Sequence, residues 1–144
     1  MTELELKRLL KELKDVFEHG PPNDTDACLE WDPGPWFDAL QSRLPDLQWY
    51  DYSQFEEGRA ATFDFEFEST VYGLLISFLA PMYTFEGRVP PTNVQDDVDR
   101  VLRKFALKRF PSELGETIVD GATLEDEGSG QMEPTLWRVL FISA

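Results

Sequence analysis

The chain has one cysteine and one histidine among its 144 residues, Cys28 and His19. This scarcity excludes a disulfide within the chain and a zinc site built from cysteine and histidine ligands. No apolar run reaches the roughly 18 residues that a membrane-spanning helix needs. The first residues lack the basic and apolar regions of a secretion signal. We therefore expect a cytoplasmic protein without a membrane span.

Basic residues are also scarce, because 13 Lys and Arg stand against 28 Asp and Glu, a net charge of −15. Binding to nucleic acid or to an anionic membrane depends on cations, so this balance argues against both. It favours a protein partner with a basic surface, or it serves solubility alone. The hydrophobic content of 42% is that of a globular chain. The length suits a single domain, residues 1–144.

Apolar residues at helical spacing predict three helices, one that begins at residue 2 and stops at Gly20, one over residues 35–44 and one from residue 92 onward. Thr2 and Glu5 have the spacing of a capping box at the start of the first helix, and Thr92 and Gln95 repeat it at the third. Such a box satisfies two backbone N–H groups that the first helical turn leaves without partners. Each helix is therefore expected to begin at its threonine.

Strands are predicted over residues 61–68, 71–79, 82–88 and 136–142. The strand over residues 61–68 alternates phenylalanine with acid, and Ser69-Thr70 is expected to form the turn that follows it. The strand over 71–79 is apolar on both faces, which is typical of a central strand. Residues 125–130 are expected to form a flexible acidic loop. Clustered strands predict an α+β fold, a mostly antiparallel sheet with about three helices packed on one face.

Acidic and aromatic residues are concentrated in the same part of the chain. Residues 21–70 hold 12 acidic groups and two basic ones, together with three of the four tryptophans. Aromatic side chains anchor protein interfaces, and charge steers the encounter of two proteins. We predict a partner-binding surface that comprises Glu30, Trp31, Asp32, Tyr50, Asp51, Tyr52, Asp64, Glu66 and Glu68.

The row of Asp64, Glu66 and Glu68 has two other interpretations. It is compatible with a solvated sheet face beside basic residues of a neighbouring strand, and with a site for a hard metal ion. Calcium takes six to eight oxygen ligands, usually from a glycine-containing loop, and this strand has no such loop. We predict no metal, no cofactor and no catalytic residue, and therefore no enzyme.

Three segments, over residues 29–32, 49–52 and 63–68, read LEWD, WYDY and FDFEFE. Together with the length and the acidic charge they resemble the immunity proteins of bacterial polymorphic and contact-dependent toxin systems. The resemblance implies a small α+β protein that neutralises a cognate toxin by occluding its basic active or binding surface.

Two further functions stay open at this point. Regularly spaced carboxylates could imitate the phosphates of a nucleic acid and inhibit a DNA- or RNA-binding protein, which requires a long negative ridge. Aromatic residues could instead line a cavity for a small ligand. The second alternative requires a deep cavity that Trp49, Tyr52 and a carboxyl group with a perturbed pKa line together.

Overall fold

The computed structural model describes residues 1–18, 33–53, 60–122, 124–126 and 130–141. The helices in these residues are α1 (Glu3–Glu18), α2 (Gly34–Arg43), α3 (Thr92–Arg103) and α4 (Leu136–Phe141). The strands are β1 (Gln48–Asp51), β2 (Ala60–Phe67), β3 (Thr70–Ser77), β4 (Met82–Glu86), β5 (Lys108–Arg109), β6 (Leu124–Asp126) and β7 (Gly130–Met132). A short 3₁₀ helix spans Ser112–Leu114.

Strands β1 to β5 form one sheet in the order of the chain. The pairs from β1 to β4 are antiparallel, and β5 is parallel to β4. The predicted α+β fold with a mostly antiparallel sheet is confirmed, and β3 lies at the centre as its apolar composition indicated. The helices described do not include one long and apolar enough to span a bilayer.

The first face of the sheet packs against α2 and α3. Phe63 and Phe65 of β2 point to this side and are fully buried. The alternation of residues in β2 therefore places its phenylalanines in the core. Other buried members of this core are Trp36, Leu40, Trp49, Tyr72, Leu74, Ile76, Tyr83, Phe85, Val94, Val98, Val101 and Leu102.

The second face packs against α1 and α4, so helices cover both sides of the sheet. Leu75 of β3 and Ala60 of β2 are buried here. They share a second core with residues of the two helices, among them Leu9, Leu13, Leu136, Val139, Leu140 and Phe141. The expectation of helices on one face only is therefore wrong. A sheet with apolar residues on both sides of its central strand needs cover on both sides.

The segment predicted as a strand over residues 136–142 is the helix α4. Thr135 begins it, because its Oγ1 accepts a hydrogen bond from the Arg138 backbone N–H at 3.4 Å. Four of its six residues are buried, and Trp137 and Arg138 are half-buried. An apolar run buried on most sides has no periodicity that separates helix from strand, and this explains the wrong prediction.

Two other local predictions need correction. A loop was expected over residues 125–130, but Glu125 and Asp126 belong to β6 and Gly130 to β7, and the two strands pair antiparallel. Residues 127–129 lie outside the described ranges. The capping box predicted at the third helix does not form, since Pro91 precedes the helix and no side chain caps it. Gln95 Nε2 donates instead to the Pro90 carbonyl at 2.6 Å.

Candidate functional site

The second face of the sheet is covered at one end and open at the other. On β3, Leu75 is 5% exposed, whereas Val71 on the same face is 57% exposed. Tyr52 extends the face beyond β1, because its backbone N–H donates to the Thr62 carbonyl at 2.8 Å. We call this uncovered end the open face. It comprises Gln48, Tyr50, Tyr52, Asp64, Glu66, Val71, Gly73 and Glu86.

Four residues of the open face form one row across four strands. Tyr50 is opposite Asp64, Asp64 is opposite Gly73, and Gly73 is opposite Glu86. Neighbouring strands lie about 4.8 Å apart, so the row brings an aromatic ring and two carboxylates within about 15 Å. The antiparallel register therefore places together side chains that are far apart in the chain.

Gly73 makes a depression in this row. A Cβ atom at Gly73 would lie 3.2 Å from Glu86 Cβ and 3.5 Å from Glu86 Oε2. The same position is 3.6 Å from Asp64 Oδ1. Two carboxylates thus stand on either side of a residue that has no side chain. We call this arrangement of Asp64, Gly73 and Glu86 the notch.

The acids of the open face form no ion pair in the part of the chain that the structure describes. Within the described ranges the ion pairs are Asp97 with Arg100 and Asp99 with Arg103, both on α3. Asp64, Glu66 and Glu86 take part in neither. Like charges this close together repel, and an incoming cation would relieve the repulsion.

Two exposed tyrosines border the carboxylates. The rings of Tyr50 and Tyr52 stack with their centroids 6.4 Å apart. The two residues are 38% and 58% exposed. Tyrosine is an amphipathic side chain that loses little conformational entropy on contact, and interfaces are enriched in it. The open face thus presents apolar surface beside negative charge.

Of the nine residues predicted for the partner surface, four lie together on the open face: Tyr50, Tyr52, Asp64 and Glu66. Asp51 is in register with Phe63 and so points to the other side of the sheet. Its Oδ1 accepts a hydrogen bond from the Ser53 backbone N–H at 2.9 Å. Glu30, Trp31 and Asp32 lie outside the described residues.

Glu68 does not continue the row along β2. It forms the turn to β3 together with Ser69, and their φ angles are 48° and 64°. The turn was expected one residue later, at Ser69-Thr70. Two positive φ angles in succession define the type I′ turn, whose twist matches that of paired strands. The strand therefore ends at Phe67, and Glu68 leaves the face on which Asp64 and Glu66 lie.

Gly73 and Glu86 belong to the site, but the sequence analysis missed them. Glu86 ends β4, where Met82, Thr84 and Glu86 alternate with buried Tyr83 and Phe85. This alternation could have placed Glu86 on the polar side of its strand. The pairing register places Glu86 beside Gly73 and Asp64, and the sequence of a single strand does not predict that register.

A second tyrosine and aspartate pair lies in the interior. The Tyr83 hydroxyl donates to Asp99 Oδ1 at 2.7 Å, and Asp99 Oδ2 is 2.7 Å from Arg103 Nε. Burial raises the pKa of Tyr83 well above that of a free tyrosine, and the hydrogen bond and negative charge of Asp99 raise it further. This pair links β4 to α3 and has its partners within the chain.

Neither a metal site nor the expected ligand cavity is found in the described part of the chain. No group of three or more His, Cys, Asp or Glu residues there could hold a metal ion. Trp49 is 6% exposed and packs on Phe65 with ring centroids 4.7 Å apart. Tyr52 is exposed on the opposite side of the sheet, so the two rings do not line a common cavity.

Comparison with known proteins gives no match. No family model fits the chain, and neither a curated protein nor a solved structure matches it. The arguments for a function therefore come from the geometry of the open face and from its chemistry.

Proposed function

We propose that this protein is a binding protein whose open face docks on a basic protein surface and occludes it. The resemblance noted in the sequence makes a toxin the class of partner that we propose. Occlusion needs no catalytic group: the protein inhibits its partner by covering a surface that must otherwise receive a substrate.

The observation that carries the proposal is the row of Tyr50, Asp64, Gly73 and Glu86 across four neighbouring strands. An interface of this kind needs an anchor that buries apolar area and charges that find partners. The stacked tyrosines supply the first, and the carboxylates without ion pairs supply the second.

The notch defines what the partner has to present. An arginine or lysine side chain placed over Gly73 would reach Asp64 Oδ1 on one side and Glu86 Oε2 on the other. Charge-assisted hydrogen bonds of this type are about twice as strong as neutral ones. We therefore propose that a basic side chain of the partner occupies the notch.

The geometry favours a compact interface over nucleic-acid mimicry. Asp64, Glu66 and Glu86 lie on β2 and β4, on either side of β3, and so within a width of about 10 Å. A mimic needs a ridge of charge that continues over several phosphate spacings. Two of the three acids of α3, Asp97 and Asp99, do not extend such a ridge, because they are paired with arginines of their own helix.

The test is capture of the partner from cells that contain the protein, followed by association kinetics with the purified partner. The variant D64N/E66Q/E86Q removes the three charges of the open face. A matched control, D38N/E113Q/E116Q, removes three exposed acids elsewhere. Electrostatic steering raises association rates by about a hundredfold or more at low salt. We expect the open-face variant to associate at least tenfold more slowly, with a weaker dependence on salt.

A second variant, Gly73→Ala, fills the notch without changing any charge. We expect it to increase the dissociation rate while association stays close to that of the unaltered protein. The proposal is wrong if the open-face variant binds like the unaltered protein, if the control loses as much, or if no basic protein is captured. An effect of the charge variant without an effect of Gly73→Ala would leave the docking face in place and remove the notch from it.

A further inference from the structure

A cleft lies at the β5 edge of the sheet, away from the open face. Its cavity volume is about 280 Å³, and its walls come from the first half of α1, the turn between β3 and β4, and β5. Pockets for small ligands have volumes of roughly 300–1,000 Å³, so this cleft suits a ligand at the small end of the range. It shares no residue with the open face.

The floor of the cleft is apolar. Leu9 and Ala80 are buried, and Met82 and Pro111 are half-buried beside them. A backbone hydrogen bond joins two walls of the cleft, because the Lys108 N–H of β5 donates to the carbonyl of Pro81 before β4 at 3.0 Å. A preformed apolar floor favours the apolar body of a ligand.

The rim of the cleft carries cations that the protein does not pair. Arg8 and Lys108 line it, and neither forms an ion pair in the described segments. Glu12 lies one helical turn from Arg8 and also lines the cleft, yet no salt bridge joins the two. In a chain with 28 acidic and 13 basic residues, a cleft lined by three basic and two acidic side chains reverses the overall sign of charge locally.

The other charged groups of the rim are engaged within the protein. Arg109 donates to Gln95 Oε1, and its guanidinium lies 5.2 Å from the centroid of the Phe85 ring. Glu5 Oε2 accepts the Thr2 backbone N–H at 3.2 Å. The side chains left for a ligand are therefore Arg8, Lys108 and Glu12, and the three basic and two acidic side chains of the rim together carry a net positive charge.

We propose that this cleft binds a small amphiphilic anion, an alkyl carboxylate whose chain lies on the apolar floor and whose carboxylate meets Arg8 and Lys108. The net charge of the whole protein does not prevent this. Screening at physiological salt limits interactions between exposed charges to about 8 Å, so the charges at the rim outweigh those elsewhere.

The test uses octanoate as the probe and octylammonium as a ligand of equal length and opposite charge. Titration is followed by NMR of the methyl groups of Leu9, Ala80 and Met82, and by calorimetry. The variant R8Q/K108Q removes both rim cations. The control R43Q/R88Q removes two exposed cations that do not line the cleft.

We expect octanoate to shift these methyl resonances with saturation at one molecule per chain, and octylammonium to bind at least fivefold more weakly. An exposed ion pair contributes at most about fivefold to affinity, so R8Q/K108Q should weaken octanoate binding between fivefold and twenty-fivefold. The control should stay within twofold. The absence of saturable shifts at these methyls, equal binding of octylammonium, or an equal loss in the control would overturn the proposal. None of these results bears on the docking role of the open face.

Discussion

Two tyrosine and aspartate pairs of this protein have the same composition and opposite surroundings. Tyr83 is fully buried, and its hydroxyl donates to Asp99, which also pairs with Arg103. Tyr50 of β1 is opposite Asp64 of the neighbouring strand β2 on the open face. The tyrosine is 38% exposed, and the aspartate has no ion pair in the described residues. The interior pair holds β4 to α3, and the open pair contributes nothing comparable to the fold.

The difference indicates which polar groups of this protein are available to bind another molecule. A buried polar group must find its partners within the chain, because leaving it unpaired costs free energy. An exposed group is solvated by water and is free to exchange that water for a partner. The residue types of a site therefore do not identify it, because the same two residue types form a structural contact in one place and an exposed surface in the other.

The largest expected difference concerns the apolar residues of the two ends of the second face. Leu75→Ala should lower the free energy of unfolding by about 2–5 kcal/mol, because it leaves a cavity between β3 and the helices. Val71→Ala, on the same strand and the same face, should change it by less than about 0.5 kcal/mol. Urea denaturation of both variants measures the contrast. A large loss for Val71→Ala would mean that the end we call open is covered.

The next largest difference is expected between Tyr50 and Tyr83, in the free energy of unfolding that each hydroxyl contributes. Tyr83→Phe removes a buried hydrogen bond to a charged acceptor and should cost about 1.5–3 kcal/mol of stability. Tyr50→Phe should cost less than about 0.5 kcal/mol, since its hydroxyl lies on the exposed face. Chemical denaturation at neutral pH compares them. Equal costs would show that Tyr50 has a structural role, and that would weaken its assignment to the docking surface.

From the interior pair of Tyr83 and Asp99 we also expect the free energy of unfolding to depend on pH in the alkaline range. The pKa of Tyr83 is raised in the folded state, so its contribution to stability is complete below the pKa of an unfolded tyrosine, about 10. Above that pH the unfolded chain loses the proton that the folded protein keeps. Stability should then fall with pH by up to about 1.4 kcal/mol per pH unit more than in Tyr83→Phe. Parallel pH profiles for the two proteins would contradict this.

The smallest effect is expected from the carboxylates of the notch. D64N/E86Q should leave stability unchanged or raise it by up to about 0.5 kcal/mol at low salt, because it removes repulsion between like charges. High salt should abolish the gain. Thermal denaturation at two salt concentrations measures this. A loss of more than about 1 kcal/mol would reveal internal partners for these acids and remove the basis of the proposed docking.

Local patterns predicted much of the fold correctly. The capping box of α1 is present, since Thr2 Oγ1 accepts the Glu5 N–H at 3.1 Å and Glu5 Oε2 accepts the Thr2 N–H at 3.2 Å. The alternation in β2 correctly indicated one buried and one polar side. Both signals depend on residues at most four positions apart, which the backbone geometry of a helix or strand relates directly.

The predictions failed where the local pattern allowed more than one outcome. The box of Thr92 and Gln95 has the same spacing as the first, but two prolines precede it and Gln95 bonds to the Pro90 carbonyl. Residues 136–141 form a helix because they fill the space beside the second face of the sheet, and their apolar run alone allowed a strand. Packing against the sheet therefore determines that this segment is a helix and not a strand.

The sequence predicted some residues of the candidate site correctly and missed or misplaced others. Tyr50, Tyr52, Asp64 and Glu66 are predicted from the concentration of acidic and aromatic residues in their part of the chain, and the structure places them on one face. Glu86 and Gly73 were missed, because only the pairing of β3 with β2 and β4 brings them to Asp64. Asp51 and Glu68 are predicted on the same ground, but the alternation in β1 and the turn after β2 remove them from the face.

The sequence by itself determined the class of fold, the acidic character and which side of β2 enters the core, because these follow from composition and from spacing along one element. The tertiary structure alone decided which half of the second face stays uncovered and which carboxylates flank Gly73. The reason is physical: register and helix placement depend on contacts between residues far apart in the chain, and no local pattern encodes those contacts.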